Sequence, residues 1–179
     1  MANFDFTKVE KNFTPGLEHK SGLHQTETGI VDVGSDPVGP GDLVVSSKSS
    51  SMGDILVKKA TSSTVSASSN NVHVIRGFAM RKTNIASHEV ENYLPGELIP
   101  IRRSGEVAVT LDTSFSDPKI GQYVFLKSGK LSKEGKGGIQ VGRIKDVGTS
   151  TTTGSGKVVL LDIQIGTEYD SSGNRKFSS

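Results

Sequence analysis

Apolar positions along this chain recur at every second residue in short runs, and the runs are interrupted by glycine, proline, serine and asparagine. Val107, Val109 and Leu111 alternate with Ala108 and Thr110, the period-two pattern of a strand with one buried face. The same reading predicts strands at 30–33, 42–45, 54–57, 73–80, 98–103, 106–111, 123–127, from about 130, around 139–144 and at 158–165. Asp162 and Gln164 face outward in the last of them. Ser104-Gly105 and Ser128-Gly129 each separate two such runs by two residues, which is a hairpin signal. Alternation is expected to turn Tyr123 or Phe125 toward the core. Residues 84–92 are predicted to form a turn of helix, stopped by Pro95-Gly96. Many short strands with almost no helix define an all-β fold, a compact antiparallel β-sandwich or barrel of short hairpins. The stretch PVGPGDLV at 37–44 faintly rhymes with PKIGQYV at 118–124, each a turn leading into a strand.

The first 28 residues show neither period and read as an extended N-terminal arm, with a β-rich body over 29–179. That body is divisible into about 29–95 and 96–166, followed by a polar C-terminal tail. The arm holds Phe4, Phe6 and Phe13, three of the chain's seven phenylalanines. Unpacked tails are usually poor in aromatics, so these rings are expected to find a partner. Burying each contributes about 1.5–3 kcal/mol. Ordering a dozen backbone residues costs on the order of 12–24 kcal/mol. The rings alone lose that contest, so docking requires backbone pairing as well, for instance strand addition to a sheet edge. A neighbouring chain is the expected partner, and folding back onto the chain's own body is the alternative.

Composition narrows the picture further. A chain of 179 residues can bury a core without staples, and with no cysteine it has no disulfide or thiolate metal site. Twenty-one basic and nineteen acidic side chains leave a net charge of +2, interspersed rather than gathered into the basic stripe that nucleic acid requires. Neither a signal peptide nor a membrane-spanning run is visible, so no nucleic acid and no membrane are expected as partners, and synthesis in a host cytoplasm is.

Candidate reactive motifs fail on spacing. Gly154-Ser155-Gly156-Lys157 lacks the earlier glycine of a phosphate loop, and Val158 stands where magnesium would need a hydroxyl. Gly135-Lys136-Gly137-Gly138 has no dinucleotide spacing. His19, His24, His73 and His88 are scattered, and carboxylates occur singly, without metal-cage spacing. The expectation is a protein that is not an enzyme, with no catalytic residue, cofactor or metal.

The segments DPKIGQYVFLKSGKL at 117–131 and GIQVGRIKDV at 138–147, with PGDLV at 40–44 and VIRGFA at 74–79, resemble tailed-bacteriophage head decoration proteins, the structural cement proteins. The resemblance runs from about residue 29 to 165. It implies a β-rich protein that binds the outer surface of the assembled head and stabilises the lattice of the major capsid protein, commonly as a trimer. Phe4, Phe6, Phe13, Arg102 and Arg103 are then the candidate partner-binding residues. Arg102 and Arg103 carry a second reading: Pro100 places them on an edge strand, where basic charge discourages aggregation. The serine-rich stretch 61–71 reads as an exterior loop. The alternative function is a tail-associated or adhesin-like β-sandwich module recognising a host surface or carbohydrate.

Overall fold

The computed structural model describes residues 15–16, 24–47, 55–61, 75–83, 91–148, 157–169, 172 and 175–176. Among these residues ten strands are formed: β1 (Gln25–Val31), β2 (Leu43–Ser46), β3 (Leu56–Lys59), β4 (Ile75–Ala79), β5 (Leu98–Thr110), β6 (Tyr123–Lys127), β7 (Lys130–Ser132), β8 (Ile139–Val147), β9 (Val158–Tyr169) and β10 (Arg175–Lys176). Strand β1 therefore begins at Gln25, inside the span expected to be arm. The stretch 84–90, expected to be helical, lies outside the described residues.

Pairing β1–β3–β2–β4–β5 and back to β1 closes a five-stranded barrel, and β5 continues into an outer sheet of order β5–β9–β8–β6–β7. All pairings are antiparallel except β1 with β3, where Ile30 faces Leu56 and Val31 faces Val57 in parallel register. That exception closes the barrel. It was not legible in the strand pattern, because strands far apart in sequence can pair in either direction.

The expected hairpin at Ser104-Gly105 does not form. Instead β5 runs unbroken for 13 residues and changes partners there. Gln25 of β1 lies opposite Ser104, and Ile163 of β9 lies opposite Gly105. Gly105 has φ of 90°, a conformation glycine adopts without steric cost, so the strand can bend from one sheet into the other. Ser128-Gly129 does make a hairpin. Both residues have positive φ, 51° and 77°, the requirement of a two-residue type I′ turn, and Lys127 pairs with Lys130 across it.

The rhyme between 37–44 and 118–124 corresponds to one repeated turn. In each copy the backbone N–H of the fourth residue donates to the carbonyl of the first: Asp42 to Gly39 (3.1 Å) and Gln122 to Lys119 (3.1 Å). The fourth side chain reaches back to the first N–H, Asp42 to Gly39 at 2.7 Å and Gln122 to Lys119 at 2.7 Å. The third residue, Gly41 or Gly121, has φ of 79° or 90°, as a type II turn demands. A third copy, unnoticed in the sequence, spans Leu94–Glu97, with Glu97 bonded to the Leu94 N–H at 2.8 Å and Gly96 at φ 89°. Each turn is also clamped on one residue of a neighbouring element. Ala79, Val31 and Ile144 each accept from the turn glycine and donate to the carbonyl of the residue after it, at 2.7–3.0 Å. These clamps fix where β2, β5 and β6 begin.

Two large apolar clusters result, beside a small one of Ala108, Val158 and Leu160. Inside the barrel lie Val31, Val38, Val44, Val57, Ala79, Tyr93, Ile99 and Ile101. The larger cluster lies outside it, where Leu43, Val45, Ala60, Phe78 and Met80 meet the inner face of the outer sheet, including Val107, Val109, Leu126, Val141, Ile144, Val159 and Leu161. The main core is therefore the seam between barrel and sheet. Val107, Val109 and Leu111 take the buried face as expected, but alternation in β6 has the opposite parity to that expected for its rings. Val124 and Leu126 are buried, while Tyr123 is exposed and Phe125 half-buried.

Candidate interaction surface

The residues expected to bind a partner are dispersed. Phe4, Phe6 and Phe13 lie outside the described residues. Arg102 and Arg103 do not sit on an edge strand: β5 is flanked there by β1 on one side and β4 on the other. Pro100 is tolerated because its carbonyl, facing β4, accepts from Met80 N–H at 2.9 Å, beyond the last residue of that strand. Its missing donor costs one ladder bond where pairing already ends.

Consecutive strand residues point to opposite faces, and this splits the arginine pair. Arg102, opposite Phe78, is 1 % exposed and belongs to the interior. Arg103 turns the other way and bonds Glu27 at 3.1 Å. Arg76 approaches the same Glu27 oxygen at 3.8 Å and donates to Ser46 Oγ at 2.7 Å. One carboxylate thus holds two guanidinium groups, fixing β1, β4 and β5 together. Sequence gave no sign of this trio, which only the barrel's closure assembles. Glu106 is likewise buried and ion-paired with Lys145 of β8.

Depressions break the surface among the described residues. A cleft of about 360 Å³ between barrel and outer sheet is lined by Asp42, Lys59, Asp112, Lys130 and apolar neighbours such as Leu43 and Leu131. Its charges are already paired, Lys59 with Asp42 at 2.7 Å and Lys130 with Asp112 at 3.5 Å. The Ser114 N–H holds the Asp112 carboxyl below its ordinary range. A shallower hollow is lined by Arg81, Lys82, Tyr93, Glu97, Leu98 and Pro100. There the Lys82 hydrogen bond lowers Glu97, the same bond raises Lys82, and burial pushes the Tyr93 hydroxyl up to about 12. Every one of these shifts moves its group away from neutrality. Proton transfer needs a group near the working pH, and Asp112, Glu97, Lys82 and Tyr93 are all moved away from it.

Among the described residues, several large apolar side chains are also exposed. Val33, Leu94 and Leu98 flank the turn at the end of the barrel, joined by the bonds of Val31 to Gly96 and Glu97, and all three are more than half exposed. Ile120 and Tyr123 protrude around the turn at 119–122, with Arg143 stacked 5.8 Å from the Tyr123 ring and donating to Gly121 O at 2.9 Å. Large apolar side chains presented by clamped turns suit contact with another protein surface.

Pro15 and Gly16 supply the other feature. Gly16 N–H donates to Ala108 O at 2.8 Å and Gly16 O accepts from Arg81 N–H at 3.0 Å. A Cβ on Gly16 would lie 2.7 Å from Pro40, so only glycine fits. Gly16 is therefore pinned to the body of its own chain, on the side of β5 away from β9.

Fold and surface together define an all-β structural protein, built for contact through rigid turns and strands. The model of a family described as XM1 gp53 minor capsid protein matches residues 8–174. The chain belongs to that family, and is thus a bacteriophage capsid-associated protein of the virion, in keeping with the resemblance to phage head proteins. A chain in a solved structure titled "The capsid of Myoviridae Phage XM1" has a similar fold, with a TM-score of 0.57 at 16 % identity, over 90 % of this chain and 96 % of that one. At that identity the likeness is one of fold. No curated protein matches the sequence.

Proposed function

We propose that this chain is a non-catalytic decoration protein that binds the outer surface of the assembled head and stabilises the lattice of the major capsid protein, as a homo-oligomer, with a trimer favoured. The observation that carries the reading is the pairing of family membership over nearly the whole chain with a rigid body whose exposed apolar residues, Val33, Leu94, Leu98, Ile120 and Tyr123, sit on or beside clamped turns. A body that keeps its shape loses little conformational freedom on docking, and many weak copies on one lattice add by avidity. Phe4, Phe6 and Phe13, on the chain before the Pro15–Gly16 pin, serve as contacts to a neighbouring chain. Arg103 keeps an accessible side chain for a rim contact.

Electron microscopy of particles with and without the protein tests this. Hundreds of copies on the exterior, and heads that rupture at lower temperature without them, are expected. A handful of copies at the tail would replace the proposal with the adhesin reading.

A further inference from the structure

One wall of the barrel breaks the rule that a sheet face in water is polar. Val31 and Ile99 point into the barrel, so alternation turns Ile30 and Leu98 outward, directly opposite one another. Leu56 lies beside Ile30 on β3, and its neighbour Val57 points inward. A row of three aliphatic side chains therefore crosses β5, β1 and β3 on the outside. On the wall made by β2 and β4, Val45 and Phe78 also face outward, and there the outer sheet covers them. The row has no such sheet over it: Leu98 is 66 % exposed, and Val33 and Leu94 extend it at 84 % and 53 %. Because the barrel is closed, this wall offers no strand edge to a partner, and contact must come through side chains.

The other exposed apolar group stands on the outer sheet. Ile120 and Tyr123 project around the turn at 119–122, which hydrogen bonds of Gly121 and Gln122 with Ile144 hold in place. The charges around the two groups differ in sign. Beside the row, the exposed charged residues among those described are acidic: Asp36, three residues after Val33, and Glu91, joined through Lys82 to the Glu97 that precedes Leu98. The cations there, Lys58, Arg81 and Lys82, are half-buried. Around the turn, Lys119, Arg143 and Lys145 are exposed against one exposed acid, Asp117, while Asp146 and Asp162 are half-buried. Two copies meeting row to row or turn to turn would bring like charges together, whereas row to turn brings unlike ones together. We propose that the barrel row of one copy receives the turn at 119–122 of a second copy, head to tail. Each copy then uses both surfaces, so the contact repeats and can close into a ring, the symmetry a trimer needs. Copies so joined meet the head as one body, and their weak contacts add. The inference rests on the homo-oligomer of the proposed function and names its two faces.

Sedimentation of the full-length chain, without heads, tests it. The unaltered chain is expected to self-associate, and a chain that stays monomeric at submillimolar concentration overturns the proposal. Leu98→Lys sets a cation against the basic turn, and Ile120→Asp sets an acid against the acidic row. Each alone should weaken self-association roughly tenfold or more while keeping the circular dichroism spectrum of the unaltered chain. Mixed in equal amounts, the two should form a one-to-one dimer and nothing larger, because one variant retains the turn and the other the row. Either variant associating at the unaltered strength, or a mixture that stays monomeric, overturns the proposal. Leu94→Lys and Tyr123→Asp take the place of a variant that fails to fold. With no head present, failure here leaves binding to the shell standing. Chains that associate as expected but do not occupy heads refute the shell reading alone.

Discussion

The barrel and the outer sheet use the same ingredients to different ends. The barrel closes on eight buried side chains, four of them valines, and depends on backbones coming close: Gly77 of β4 sits so near β5 that a Cβ there would lie 2.1 Å from Arg102 O. The sheet depends on area, laying its inner face over the barrel's outer wall. Their turns differ as well. The barrel's two clamped turns use carboxylates, Asp42 and Glu97, while the sheet's uses the amide of Gln122. A small barrel with a thin interior is thus stabilised from outside, by the layer packed against it.

The sharpest break in this comparison is Gly77→Ala. The overlap falls on backbone, and φ of 145° adds strain to it. We expect loss of soluble protein, or destabilisation beyond about 4 kcal/mol. In the sheet, the matching change Gly142→Ala meets Asp162 O at 2.6 Å and the Leu161 side chain, without a positive φ. A cost of about 1–3 kcal/mol in denaturant unfolding is expected.

Phe78→Ala tests whether barrel and sheet share one core. Phe78 is fully buried on the barrel wall facing the sheet. Its removal should cost about 3–5 kcal/mol and lower the unfolding of both parts in a single transition. Two separated calorimetric transitions would show that they are independent units.

The two Ser-Gly pairs give a smaller contrast. Gly105→Ala and Gly129→Ala each place an alanine at positive φ, costing about 1–2 kcal/mol. Only the first should disturb both halves, because β5 changes partner there. Amide exchange should quicken across β1, β5 and β9 for Gly105→Ala, and only near β6 and β7 for Gly129→Ala.

Acid gives the mildest distinction. Glu97 is held below its ordinary value of 4.5, first by its Lys82 hydrogen bond and then by the Leu94 N–H. A carboxylate lowered in the folded state stabilises it above the unfolded value, and that contribution is lost as pH falls through the folded one. Melting followed from pH 6 to pH 3 should therefore fall less steeply in Glu97→Gln than in the unaltered chain. Gln122→Glu should add an acid-dependent step in the sheet.

Much of this fold was legible along the chain. Alternation at 106–111 and 158–165 located the two strands at the heart of the outer sheet, and Pro-Gly-Asp at 40–42 announced a turn. The candidate surface was less legible. The Arg102-Arg103 pair looked like one basic feature, yet the two side chains leave opposite faces of β5, one buried and one on Glu27.

The sequence by itself determined that the protein is all-β and where most of its strands lie. These depend on local sterics and on alternation, which each short segment carries alone. Only the tertiary structure decided that β1 would pair in parallel with β3, that Ser104-Gly105 would bend a strand and Ser128-Gly129 reverse one, and that Glu27 would meet two arginines. Each of those outcomes depends on residues distant in the chain, and a glycine that permits two conformations leaves the choice to whatever partner the closed barrel brings beside it.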